Sequence, residues 1–171
     1  MPEAIPGAVS RRTALATALA AAPPLLGGCT LPGTARRAAH ADVPVLAGAI
    51  SAEQDLIALY EAANSAHPGL ARRLAPALAH HREHLAVLKR HFVPGSGDRK
   101  DEGAAVPGPR KRELPEDSGQ ALAALRQAET QAAAARAADV AKAAPALAQL
   151  LAGIGACEAG HAALLGRSAQ G

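Results

Sequence analysis

HPGLARRLAPALAHHREHLAVL (residues 67–88) and APALAQLLAGIGACEAGHAALL (residues 144–165) lie on each other without a gap. Each carries a proline at its second position, Pro68 and Pro145, where a helix start tolerates the missing N–H. Matched leucines follow: Leu70 with Leu147, Leu74 with Leu151, Leu88 with Leu165. Each stretch also holds a polar pair three residues apart, His81/His84 in the first and Glu158/His161 in the second. A glutamate precedes each pair at nearly the same distance, Glu53 and Glu129. The chain therefore reads as two helical hairpins, each carrying a Glu and a three-spaced polar pair to one depth. Alanine richness inflates any such match, so the prolines and the polar register carry the inference.

Working outward, the helices are expected at about 43–66, 68–92, 116–143 and 145–165. Ala and Leu dominate a chain that is 49% hydrophobic and only 1% aromatic, which favours helices over strands. Short links join the first pair of helices and the last pair. Between them, Val93 to Pro115 is rich in Gly and Pro and spans roughly 70 Å if extended. A link of that reach lets the second hairpin start again at the end where the first one started. The expected fold is all-α: an antiparallel four-helix bundle over residues 42–165 with a long crossover between its second and third helices. Residues 166–171 form a tail.

Four-three spacing of apolar residues gives each helix a seam. Glu53 falls on the first seam with Ile50 and Ile57, and His81 on the second with Leu78 and Leu85, with His84 flanking it. Glu129 falls on the third with Leu125 and Ala132, and Glu158 and His161 on the fourth with Ile154 and Leu165. Glu53 and His81 each lie fourteen residues from His67; Glu129 lies fifteen before Ala144 and Glu158 fourteen after it. At 1.5 Å rise per residue all four stand about 21 to 23 Å from their turns, so they converge on one layer. Glu61, Arg72, Arg82, Glu83, Lys89 and Arg126 fall off the seams and read as solvated surface.

Buried carboxylates crowded together need compensation. A divalent cation held by Glu oxygens and neutral imidazoles supplies it, and so do Glu–His hydrogen bonds with trapped water. Tyr60 reads first as a core aromatic with its hydroxyl at the edge, and second as a donor towards the layer. Cys157 reads as a small buried hydrophobe. His80 leans off its seam and reads as a bystander, and Arg110-Lys111-Arg112 reads as a solvated loop.

Residues 1–28 have the organisation of an export segment. Leu26-Gly27-Gly28-Cys29 resembles a bacterial lipobox, which implies lipidation of Cys29. Ser10-Arg11-Arg12-Thr13-Ala14-Leu15 resembles a twin-arginine signal without the usual Phe two places after the arginines. Residues 29–41 are expected to be a flexible tether. The net charge of +3 is small and aromatic residues are nearly absent, which argues against nucleic-acid binding.

Glu53, Glu129 and Glu158-Ala-Gly-His161 resemble the pattern of the ferritin-like superfamily, whose di-iron members use two lone glutamates and two Glu-x-x-His pairs. The second helix departs from it, because His81-Arg82-Glu83-His84 has His where the pattern has Glu. His84 carries over as the motif histidine; His81 does not carry over as a bridging carboxylate. The whole chain is similar to exported bacterial ferritin-like lipoproteins of unknown function. Two functions are weighed. The first is a non-enzymatic structural or interaction module at the outer face of the cytoplasmic membrane, anchored through Cys29, with a protein partner or a second copy left open. The alternative is a metal-binding protein or metal oxidase with Glu53, His81, His84, Glu129, Glu158 and His161 around Fe, Mn or Zn. The added nitrogen shifts the preference towards Zn or Cu.

Overall fold

The structure, a computed structural model, describes residues 32–92 and 106–167, and only the backbone of residues 32–41. The export segment, Cys29, residues 93–105 of the crossover and the tail from residue 168 lie outside the described residues. Four helices follow in order: α1 (Pro32–Ala66), α2 (Ala71–His91), α3 (Ser118–Val140) and α4 (Pro145–Arg167). A single 3-10 turn, Pro68–Leu70, precedes α2. Among the described residues there is no strand.

Helix α1 begins at Pro32, within the stretch expected to be a tether. Thr34 to Ala41 is mostly alanine and arginine, both strong helix formers, and Pro32 has no helical N–H bond to lose at the first position. The α1–α2 corner is closed by His67, whose N–H bonds to the Ala63 carbonyl at 2.9 Å. Helix α2 continues through Pro76. Helix α3 starts at a side-chain cap: Asp117 accepts from the Gln120 N–H at 2.8 Å. It ends at Val140, where Lys142 and Ala143 N–H groups both turn back to the Asp139 carbonyl.

Long-range bonds fix which ends meet. Asp42 on α1 accepts from the Ala144 N–H of the α3–α4 corner at 2.8 Å. At the other end, His67 Nε2 lies 3.1 Å from the Pro115 carbonyl oxygen ahead of α3. The described part of the crossover runs along α1 between these points. Val106 packs beside the cluster containing Leu46, and Leu114 beside the one containing Leu59. Midway, Arg110 grips Asp55 through its own N–H at 2.7 Å and its guanidinium at 2.8 and 2.5 Å. Lys111 and Arg112 are exposed, but Arg110 is a clamp and not a free loop residue, since Asp55 is buried and needs a donor.

The apolar core comes in two clusters. One is centred on Leu56, Leu59, Leu74 and Leu125; the other on Leu46, Ile50, Leu88 and Leu151. Along α1, Glu53 lies between Ile50 of one and Leu56 of the other; along α4, Glu158 lies between Ile154 and Leu165 in the same way. The interruption between the clusters is where the polar residues sit. At Gly155, α3 and α4 approach closely: an added Cβ would lie 2.8 Å from the Arg136 Cβ. Helix α4 is also long and apolar enough to cross a membrane, with mean hydropathy 1.2, yet it buries Glu158 and His161 within its length.

Candidate metal centre

His81 stands at the middle of the layer, fully buried. Its Nδ1 lies 2.9 Å from Glu53 Oε2 on α1 and its Nε2 lies 2.8 Å from Glu129 Oε1 on α3. Burial alone would lower its pKa, but the bonds and charges of Glu129 and Glu53 overcome this and raise it to about 9. In the absence of metal His81 is thus an imidazolium donating from both nitrogens. The carboxylates respond in kind. Burial would raise Glu129, yet bonds from His161 and His81 hold it down at about 2. Glu53 is likewise lowered, burial being outweighed by bonds from His81 and His84. The second Glu53 oxygen, Oε1, lies 3.1 Å from His84 Nδ1.

Tyr60 is fully buried and its hydroxyl donates to Glu129 Oε1 at 2.5 Å. The expectation of an edge hydroxyl is corrected: Tyr60 lies two helical turns from Glu53, and its long side chain spans to α3. Burial first, and the adjacent Glu129 second, push the phenol pKa up, so it keeps its proton.

Glu158 is different. It is fully buried, and among the described residues neither of its oxygens has a hydrogen-bond partner. Burial first, and the charge of Glu53 second, raise its pKa to about 8, while Arg136 opposes them. Glu129 Oε2 is buried and unpartnered as well. The layer therefore holds three buried carboxyl oxygens without a partner among the described residues, two of them on Glu158, which keeps its proton at neutral pH; the buried Arg136 guanidinium has Nε and Nη1 unpartnered as well.

Ligand atoms are grouped to receive a cation. Glu53, His81 and His84 bring one atom each within 4.8 Å of one another, and so do His81, Glu129 and His161. Nδ1 of His81 faces the first group and Nε2 the second. Five of the six expected residues are joined by these contacts. Glu158 is buried at the same level without a bond to any of them.

Two further residues border the layer. His80 Nδ1 lies 3.0 Å from His161 Nε2, and Cys157 Sγ lies 3.5 Å from the same nitrogen. Neither the bystander reading of His80 nor the hydrophobe reading of Cys157 describes this. His80 precedes the seam residue His81 by one position, hence by about 100° around α2, and that rotation turns it towards α4. Part of the signal lies in the sequence, since Cys157 and His161 are one turn apart on α4. Which side α4 occupies does not.

No family model, curated protein or solved structure matches this chain.

Proposed function

We propose that the chain is a ferritin-like antiparallel bundle that binds a transition metal at its Glu/His layer. The observation that carries this is the unpartnered, fully buried Glu158 beside two other buried carboxylates, Glu53 and Glu129. One helix each supplies Glu53 and Glu129, and each remaining helix supplies a three-spaced pair, His81/His84 or Glu158/His161. Glu53, His84 and one His81 nitrogen would hold one ion; Glu129, His161 and Glu158 would complete a position beside it. A cation there would neutralise the carboxylates and displace the His81 proton.

His81 takes the place of a bridging glutamate, so the set contains as many imidazoles as carboxylates. That composition favours Zn or Cu over paired irons and supports metal holding in preference to oxygen chemistry. The motifs around Arg11-Arg12 and Leu26 to Cys29 support export and lipid anchoring at the membrane surface.

The test is the metal content of the full chain, purified without tag histidines and exposed to Fe, Mn, Zn or Cu. Bound metal that falls below the wild-type amount in both Glu53→Gln and Glu158→Ala supports the proposal. A well-folded, metal-free chain under all four conditions refutes it. A second reading, a structural module with no ligand, is favoured by the imidazolium of His81, which already joins Glu53 to Glu129. In that case the layer is internal structure and function lies in an envelope partner.

A further inference from the structure

His80 on α2 and Cys157 and His161 on α4 bring three donor atoms together on the outer side of the layer. His80 is exposed, Cys157 half-buried and His161 buried. The separations are 3.0 Å from His80 Nδ1 to His161 Nε2, 3.5 Å from Cys157 Sγ to His161 Nε2, and 3.7 Å from Cys157 Sγ to His80 Nδ1. Metal–nitrogen bonds of about 2.0 Å and a metal–sulfur bond of about 2.3 Å, arranged tetrahedrally, place nitrogens about 3.3 Å apart and nitrogen and sulfur about 3.6 Å apart. The triangle in the protein is that face of a tetrahedron to within a few tenths of an ångström.

We propose that His80, Cys157 and His161 form a second metal site, for a thiophilic closed-shell cation, zinc(II) or copper(I). A thiolate with two imidazoles selects these ions and disfavours Mg, Ca and Mn, whose preferred donors are oxygens. The fourth position faces the side where His80 is exposed and is left for water or a ligand.

The inner layer prepares this site. His161 Nδ1 lies 3.2 Å from Glu129 Oε1, while its Nε2 points at His80 and Cys157. The carboxylate stands on one side of the ring and the two outer donors on the other, so Nε2 is the nitrogen turned to the proposed site. Glu129 is itself held by Tyr60 and His81. Tyr60 and Glu129 thus act as positioning residues behind the ligand His161. Helix geometry contributes the rest, since Cys157 and His161 are four residues apart and share one face of α4. The two sites share His161, so an ion in the outer site leaves Glu53, His81 and His84 as the inner group that does not depend on it.

Cobalt(II) added to the reduced full chain tests this, because a thiolate bound to cobalt gives an intense near-ultraviolet charge-transfer band. One equivalent of cobalt should raise the band, and zinc should remove it. Cys157→Ser should abolish it, since Cys29 is the only other cysteine. His80→Ala, at an exposed position that leaves the core intact, should weaken the affinity by about 10- to 100-fold or more. Glu61→Gln, at an exposed residue of α1 that pairs with Arg82 outside both sites, should leave the band unchanged. No band in the reduced wild type, or a band that survives Cys157→Ser, overturns the proposal. Metal retained without a thiolate band would leave the inner site standing alone; a band at one equivalent with no Glu53-dependent metal would leave only the outer one.

Discussion

Replacing Glu158 by Gln keeps the shape of the side chain and removes its charge, which isolates the cost of ionising this group inside the metal-free bundle. Glu158 shifts from 4.5 to about 8 because it is buried first and faces Glu53 second, with Glu129 on α3 adding to the repulsion and Arg136 and His81 opposing it. Between those two pH values the folded chain keeps a proton that the unfolded chain has released. Stability therefore falls as pH rises from 4.5 to about 8 and stays low above it. At about 1.4 kcal/mol per pH unit the full gap amounts to about 5 kcal/mol. Relaxation and entering water reduce such penalties, so a loss of about 2 kcal/mol is expected. His81, raised from 6.5 to about 9, adds its own loss across that window in both proteins. The buried amide introduced by Glu158→Gln has a cost that does not change with pH, so only the slopes matter. Urea unfolding of chelator-treated protein at pH 5 and pH 9 gives them. Wild type should lose about 2 kcal/mol more than Glu158→Gln between the two conditions. Parallel losses, within about 0.5 kcal/mol, would mean that Glu158 ionises freely and that no cation is called for.

Tyr60→Phe removes the hydroxyl donor to Glu129 and should lower stability by about 1 to 3 kcal/mol, read by thermal melting at pH 7. Gly155→Ala forces a methyl group to 2.8 Å from the Arg136 Cβ, and the same melt should show a loss of about 1 to 3 kcal/mol. Joint replacement of Glu158 and His161 by Leu should leave a metal-free bundle as stable as wild type or more so. If the wild type binds metal, a concentration one hundred times its Kd adds about 2.7 kcal/mol, which the double variant should lack. Asp55→Ala releases the clamp on Arg110, and limited proteolysis should then cut at Arg110 to Arg112 faster, with α-helical content unchanged.

Much of the site could be read from the chain because helix periodicity converts spacing into direction. Glu53, His81, Glu129 and Glu158 occupy positions that their neighbours reserve for Leu, Ile and Ala, so their burial follows from pattern alone. Their common depth follows from counting residues to His67 and Ala144. The all-α class follows from composition. Proline likewise marks the starts at Pro68 and Pro145, since its missing N–H is harmless there.

Other features depended on how helices rotate and which of them are neighbours, and periodicity within one helix carries no such information. Ring contacts between His80 and His161 exist because α2 and α4 face each other there; one residue earlier on α2 is off the seam, and only the partner helix makes it meaningful. The pairing of Asp55 with Arg110 joins residues 55 apart through a crossover whose path has no periodicity to read. The reach of Tyr60 to Glu129 across 69 residues is of the same kind. The chain alone determined that acids and imidazoles would be buried at one level. Tertiary structure decided which of them meet: His81 between two carboxylates, His161 between Glu129 and a thiol, and Glu158 with no partner at all among the described residues. Hydrogen bonds and coordination act over about 3 Å, whereas periodicity fixes only which side of a helix a residue occupies.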